Sequence, residues 1–237
     1  MAGDVVIIIP AYNEEHTLSR VITDIRGSVS GVDILVINDG SQDKTEEIVR
    51  RMGERVISLP FNMGYGAALQ TGFKYALKND YRYVVQMDAD GQHEPKDIPK
   101  LLNVVLNGEA DVAIGSRFLN SDNYKASLIR RTGMLVFGHI ASLIIGQKIT
   151  DPTSGYQALN SNGICFYASD YFPADYPDAD VIIMLHRAGL KIKEVPVTMY
   201  PNSQKSMHGG IELLYYLFKM FLSIFLTLLR KNPFPRT

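Results

Sequence analysis

The sequence holds one cysteine, Cys165, in 237 residues. A lone thiol cannot build an internal disulfide framework, and such sparing use fits a reducing cytoplasm. Charge excess is missing too: 24 Lys and Arg against 25 Asp and Glu leave a formal net charge of −1. That balance creates no field for nucleic acid, so no nucleic-acid partner is expected. The opening Met1-Ala2-Gly3-Asp4 puts no basic stretch ahead of the first apolar run, so it does not read as a signal peptide. That run, Val5–Ile9, is far too short to span a bilayer. What the chain does have is a 46% hydrophobic composition, enough to bury a sizeable core in one domain, or in a domain with an appendage.

Short apolar or β-branched segments alternate with segments of helical spacing. Strands are expected at Val5–Ile9, Asp33–Asn38, Arg55–Leu59, Tyr83–Met87 and Asp111–Gly115. Helices are expected at Glu14–Ile25, Lys44–Met52, Gly66–Leu77 and Pro95–Leu106, with Ser41 or Asp43 capping the second and Pro95 opening the fourth. Near-continuous apolar strands separated by helices imply a mainly parallel sheet covered on both faces. Ligands of such sheets gather at the carboxyl ends of the strands. Four polar motifs fall there: Pro10-Ala11-Tyr12-Asn13-Glu14, Asn38-Asp39-Gly40-Ser41, Asn62-Met63-Gly64-Tyr65-Gly66 and Asp88-Ala89-Asp90.

The last of these carries the most chemistry. Residues two apart on a strand point the same way, so Asp88 and Asp90 can converge on one cation. A few hard oxygen ligands suit Mg2+ or Mn2+ and leave positions open for phosphate oxygens. The alternative is a solvated turn, because Asp and Gly are common turn formers. Gly64-Tyr65-Gly66-Ala67-Ala68-Leu69 looks at first like a dinucleotide fingerprint, but Leu69 replaces the third small residue and the motif follows the third strand. Its glycines fit close backbone approach and the start of a helix.

Taken in order, Ile9-Pro10-Ala11-Tyr12-Asn13-Glu14, Asn38-Asp39-Gly40-Ser41, Asn62-x-Gly64 and Asp88-Ala89-Asp90-Gly91-Gln92 resemble the inverting family 2 glycosyltransferases of GT-A fold. Gly115-Ser116-Arg117 and Asp151-Pro152-Thr153-Ser154-Gly155-Tyr156 resemble the dolichol-phosphate mannosyltransferase branch and its bacterial polyprenyl-phosphate relatives. The resemblance covers roughly residues 4 to 200. It implies that Pro10, Tyr12 and Glu14 hold the base and ribose of a nucleotide sugar, with Asp39 on the nucleoside and Gly64 and Ala89 completing that site. It implies that Asp88, Asp90 and Gln92 position a Mg2+ or Mn2+ ion bridging the diphosphate. Such an ion would neutralise charge developing on the leaving nucleotide diphosphate.

On the acceptor side the resemblance places Arg117 and Arg131 on a lipid phosphate, which arginine's planar fork suits. The apolar segment Met134–Ile145 beyond Arg130-Arg131 would then face lipid; a buried helix with solvated arginines is the alternative. His139 within it reads as a packed or interfacial histidine. A phosphate monoester needs no protein base, whereas a sugar hydroxyl acceptor would, and Asp151 is the candidate. In a polyprenyl-phosphate enzyme Asp151 would instead organise the acceptor loop. Gln157 stands where much of this branch carries Arg or Lys.

Beyond lies Tyr200-Pro201-Asn202-Ser203-Gln204-Lys205-Ser206-Met207-His208-Gly209-Gly210, whose small polar residues suggest a lid. Relatives usually carry Arg and Gly before the Lys-Ser pair, which leaves Lys205 and His208 as diphosphate contacts. Asp178-Ala179-Asp180 repeats the carboxylate spacing but precedes the expected helix Val181–Ala188, where Asp180 reads as a cap or first-turn acid.

The 17 residues from Leu213 to Leu229 would form a helix of about 26 Å, short of a usual span. Glu212, Lys219, Ser223, Thr227 and Arg230 make one narrow polar stripe on it. An interfacial helix, or one packed on a small membrane partner, is expected, with Arg230, Lys231 and Arg236 meeting anionic headgroups. A helix completing the soluble core is the alternative.

The expected architecture is α/β of GT-A type: a nucleotide-sugar half over about residues 1–116, an acceptor half over about 117–207, and a C-terminal amphipathic helix over 208–237. The expected activity is metal-dependent inverting transfer of one sugar from a UDP- or GDP-linked donor to a polyprenyl phosphate, with Asp90, Arg117 and Asp151 central. It would occur peripherally at the cytoplasmic membrane face, in cell-envelope biosynthesis, with a homo-oligomer or a small membrane protein as further partner. A transferase acting on a saccharide hydroxyl and a non-catalytic nucleotide-sugar-binding subunit are the competing readings.

Overall fold

The computed structural model describes residues 3–119, 128–173, 179–201 and 211–229. In chain order these form β1 (Val5–Ala11), α1 (Leu18–Ser28), β2 (Asp33–Asn38), α2 (Thr45–Arg51), β3 (Arg55–Ser58), α3 (Tyr65–Lys78) and β4 (Tyr83–Gln86). A 3-10 turn at Pro95–Asp97 leads into α4 (Ile98–Leu106), then come β5 (Val112–Ser116), α5 (Leu128–Ile145), β6 (Gln157–Leu159), α6 (Ser161–Tyr167), α7 (Ala179–Arg187), β7 (Ile192–Pro196) and α8 (Ile211–Leu229).

The strands make one sheet in the order β3-β2-β1-β4-β6-β5-β7. Every neighbouring pair is parallel except those of β6, which runs antiparallel to both β4 and β5. Alternation along β1 shows how the layers arise. Val5, Ile7 and Ile9 join a core with α1, α2 and α4, while Val6 and Ile8 join one with α3, α5, α6, α7 and α8. Both faces of the strand are therefore buried, as a doubly covered parallel strand requires. Leu18, Val21, Ile22 and Ile25, spaced three and four apart, are the buried stripe that seats α1.

The expected elements form, with two differences that bear on function, and with Asp180 placed as expected. α1 starts at Leu18 rather than Glu14, because Asn13 takes a positive φ of 55° and the Glu14 N–H donates to Thr45 Oγ1 at 2.8 Å. Side-chain bonds between loops thereby displace the first turn of the helix. β6 has only three residues, so although turn formers flank it, the antiparallel insertion between β4 and β5 carries almost no strand period of its own. Asp180 lies in the first turn of α7, buried, and its Oδ2 accepts from Ser223 of α8.

That last contact fixes the orientation of α8. Met220, Ile224 and Thr227 are buried, Ser223 meets Asp180, and Arg187 donates to the Thr227 carbonyl. Phe221 meets Phe137 of α5 with ring centroids 5.1 Å apart. Ser223 and Thr227 of the polar stripe thus turn towards the body of the protein. Leu222, Phe225, Leu226, Leu228 and Leu229 turn outward, and Leu229 is 67% exposed. Among the described residues no helix is long and apolar enough to cross a membrane.

Candidate active site

The loops at the carboxyl edge lock together in sequence. From the β1 loop, the Asn13 N–H donates to Ser41 Oγ at 2.9 Å, and its Oδ1 accepts from the Gln42 N–H at 2.9 Å. Asp43 binds back, accepting from the Glu15 N–H at 3.1 Å and from the Thr45 N–H at 2.9 Å at the start of α2. Asp39 joins the second loop to the third: its two oxygens accept from the N–H groups of Met63 and Gly64 at 2.7 and 3.0 Å. α3 then begins at Tyr65, whose hydroxyl donates to Asp88 Oδ1 at 2.7 Å. Pro10 is buried in register with Ile37, and Tyr12 stands 45% exposed at the rim, so its ring is not a core aromatic.

The carboxylate turn is shaped by its own side chains. Asp90 Oδ1 accepts from the Gln92 N–H at 3.0 Å and Oδ2 from Gln92 Nε2, so both side chains lie on one side of the turn. Gly91 has φ 77°, and a Cβ there would sit 2.5 Å from Arg20 Nη2. The backbone conformation demands glycine, whereas the Arg20 terminus could swing aside. Behind the turn, buried His93 stacks on Tyr156 with centroids 4.7 Å apart, and its Nδ1 accepts from the Asp88 N–H at 3.2 Å. Burial pushes the imidazole down to about 4, so it is neutral near pH 7. The Nε2 proton then faces Asp88 Oδ2, 3.6 Å away.

Burial disfavours the charged form of two carboxylates on this edge. Burial raises the Asp88 carboxyl, although the Tyr65 hydrogen bond and the Arg117 charge oppose it. Burial also raises Glu14, and the charges of Asp90, Asp43 and Asp88 add to that rise against the bond from Thr17. Among the described residues no three His, Cys, Asp or Glu side chains already converge as a metal cage. Even so, two carboxylates and a carboxamide are hard oxygen donors, and with Asp88 raised they fit a divalent cation.

Farther along the same edge β5 ends at Ser116, and Arg117 follows directly. Its Nε donates to Asp151 Oδ2 at 2.6 Å, its Nη2 to Oδ1 at 3.3 Å, and its N–H to Oδ2 at 3.1 Å. Asp151 is fully buried and Arg117 is 8% exposed. Gly155 brings this loop onto the carboxylates: a Cβ there would lie 2.8 Å from the Tyr65 hydroxyl and 3.3 Å from Asp88 Oδ2. α5, which carries Arg131, packs on the same loop through Ser142, whose Oγ accepts from the Ile149 N–H at 2.9 Å.

Glu14, Asp39, Gly64, Asp88, Ala89, Asp90, Gln92, Arg117 and Asp151 therefore meet along one edge. Lys205, His208 and Asp178 lie outside the described residues, as does the Arg131 side chain. His139 is exposed on α5. Gln157 is buried in β6, donating to the Ser154 carbonyl at 2.9 Å and accepting from the Tyr167 hydroxyl at 2.6 Å. It is structural there, which explains how an uncharged residue is accommodated. No role is expected from sequence for Tyr65, which stands within the Asn62–Gly66 motif, or for His93, which directly follows Gln92, and Glu194 carries no local pattern that marks it.

A mainly parallel sheet of this order, with an Asp-x-Asp turn at its carboxyl edge, is the nucleotide-diphospho-sugar transferase fold called GT-A. Residues 6–163 match the family model for glycosyl transferase family 2. The chain belongs to that family and is a glycosyltransferase. It is 32% identical to the undecaprenyl-phosphate mannosyltransferase of Micrococcus luteus, covering 87% of this chain and 88% of that one. It is 29% identical to the UDP-N-acetylglucosamine–dolichyl-phosphate N-acetylglucosaminyltransferase of Methanococcus voltae, covering 91% and 92%. Among solved structures, glucosyl-3-phosphoglycerate synthase from Mycobacterium tuberculosis, in complex with Mn2+, UDP-glucose and phosphoglyceric acid, superposes with a TM-score of 0.68. That pair is 21% identical, over 97% of this chain and 81% of that one, and shares the fold.

Proposed function

We propose that this glycosyltransferase moves one sugar, with inversion, from a nucleotide-diphosphate donor to a polyprenyl phosphate at the cytoplasmic membrane face. The observation that carries the reading is the adjacency of the two halves: the loop bearing Asp151, the partner of Arg117, passes close enough to Asp88 that a Cβ at Gly155 would lie 3.3 Å from Asp88 Oδ2. A phosphate beside Arg117 would stand next to a diphosphate held at the Asp88–Gln92 turn. The relatives from Micrococcus luteus and Methanococcus voltae, named for polyprenyl-phosphate acceptors, support the acceptor class.

In this reading Tyr12, Glu14 and Asp39 hold the nucleoside, Pro10, Gly64 and Ala89 shape its seat, and Asp88, Asp90 and Gln92 hold Mg2+ or Mn2+. The ion, when bound, offsets charge on the departing nucleotide diphosphate. Asp39 stiffens the nucleoside loop through the Met63 and Gly64 amides. Asp151 orients Arg117, which with Arg131 grips the acceptor phosphate. A phosphate oxygen attacks the anomeric carbon while the bond from that carbon to the diphosphate oxygen breaks in line. No protein base is required, because the phosphate is already ionised. Burial of Asp151 and its bidentate pairing speak against its acting as base for a saccharide hydroxyl. Lys205 and His208 would close over the diphosphate.

The division into a catalytic region of residues 1–207 and a C-terminal helix of 208–237 is part of the proposal. The outward Leu222, Phe225, Leu226 and Leu229 face suits the lipid interface in which the acceptor resides. The test is radiolabelled-sugar transfer from a panel of UDP- and GDP-sugars to short-chain polyprenyl phosphate with Mg2+ or Mn2+. Acid-labile labelled lipid is expected. Release of nucleotide diphosphate with the lipid unlabelled would overturn the acceptor assignment. Introducing Phe225→Glu with Leu229→Glu should weaken sedimentation with anionic vesicles by about tenfold or more; unchanged sedimentation would remove α8 from the membrane contact.

A further inference from the structure

β7, paired with β5, delivers one side chain, Glu194, to the acceptor loop. Glu194 Oε1 accepts from the N–H groups of Thr150 and Asp151 at 2.9 and 2.8 Å. Its Oε2 accepts from the same Thr150 N–H at 2.9 Å and from Thr150 Oγ1 at 2.8 Å. Thr150 Oγ1 in turn meets Ser116 Oγ at 2.6 Å, and Ser116 Oγ accepts from the Phe118 N–H at 3.2 Å. One carboxylate therefore anchors two consecutive backbone amides immediately ahead of the Asp151 side chain, and through Thr150 it reaches both flanks of Arg117.

We propose that Glu194 is a positioning residue for the acceptor phosphate, fixing the Thr150–Asp151 backbone so that Asp151 aims the Arg117 guanidinium. The inference rests on the reading of Arg117 as an acceptor-phosphate contact. Asp151 has no rotational freedom to correct a displaced backbone, since it is fully buried with both oxygens on Arg117. A shift of its Cα passes directly to the guanidinium, and phosphate recognition by a planar fork is sensitive to orientation. The donor loops are held by other bonds, those of Asn13, Asp39, Asp43 and Tyr65, so the effect should be confined to the acceptor.

The test measures steady-state transfer with short-chain polyprenyl phosphate and nucleotide sugar varied separately. Glu194→Ala should raise acceptor KM about tenfold, with donor KM unchanged, because two buried amides lose their acceptor. Glu194→Gln should rescue most of this, since one carboxamide oxygen can still accept from both amides. Equal rises in both KM values, or no rise in either, would overturn the proposal. So would a Gln variant as damaged as the Ala variant, because charge rather than amide anchoring would then be the cause. If Glu194→Ala loses its cooperative thermal transition, Glu194→Asp replaces it: the shorter side chain should raise acceptor KM where Gln does not. Arg117→Lys, measured in parallel, separates the two levels. If it leaves acceptor KM unchanged, the acceptor reading fails; if it raises acceptor KM while the Glu194 variants do not, only the Glu194 proposal fails.

Discussion

The two ends of the sheet treat their carboxylates in opposite ways. At the amino end of β2, Asp33 accepts from the Tyr81 hydroxyl at 2.7 Å and pairs with Arg55 at 3.0 Å. Its pKa is lowered, chiefly by the Tyr81 bond, with Arg55 adding to it. At the carboxyl end Glu14 and Asp88 are raised, chiefly by burial, and Glu14 further by its acidic neighbours. At the one end Asp33 has its own cation; at the other, burial opposes the ionisation of Glu14 and Asp88. Carboxylates raised in this way near the Asp88–Gln92 turn support the cation site proposed there.

The strongest break to that comparison is Asp90→Ala. It removes a carboxylate from the stressed end without touching the core, so turnover should fall on the order of 10^3-fold while the circular dichroism spectrum stays unchanged. Retained turnover would show that the acidic edge is not the metal site. Tyr65→Phe is milder. It deletes the hydroxyl bonded to Asp88 Oδ1, and the metal concentration for half-maximal transfer should rise about fivefold to tenfold. A change in acceptor KM alone would instead assign Tyr65 to the other half.

Stability sharpens the contrast because the signs differ. The raised Asp88 makes its carboxylate form a cost that is absent at low pH and develops as pH rises from the unfolded value through the raised one. Asp88→Asn should therefore leave the metal-free Tm at pH 7 unchanged or higher, while abolishing any rise in Tm on adding Mn2+. Asp33 is the reverse: its contribution is full above the unfolded value and is lost as pH falls through the lowered one. Asp33→Asn should lower stability at pH 7 by about 1 kcal/mol or less, since the pair is partly solvated. The loss should vanish at low pH, where denaturant titrations of variant and parent should coincide. If Asp88→Asn and Asp33→Asn shift Tm in the same direction, the two ends do not differ in the way described.

Periodicity and breakers alone placed the five leading strands, the alternating helices and the carboxylate edge. β1 and β4 are apolar runs ending in polar motifs, and a strand's direction decides which end those motifs reach. The Asp88–Gln92 turn was legible for the same reason, being local: Asp90 and Gln92 bond to each other across two residues. Contacts between segments far apart in the chain leave no such trace. Tyr65 finds Asp88 across 23 residues, Arg117 finds Asp151 across 34, and Glu194 finds Thr150 across 44. α8 shows the limit from the other side. Its stripe of Ser223 and Thr227 was plain in the sequence, but whether that stripe met water or protein depended on Asp180 and Arg187 of α7. The sequence by itself determined the elements, their order and the chemistry at each strand end, because those follow from local sterics and side-chain period. Only the tertiary structure decided which carboxylates are partnered, which are left stressed and which face of the last helix looks outward, because each depends on groups brought together by packing.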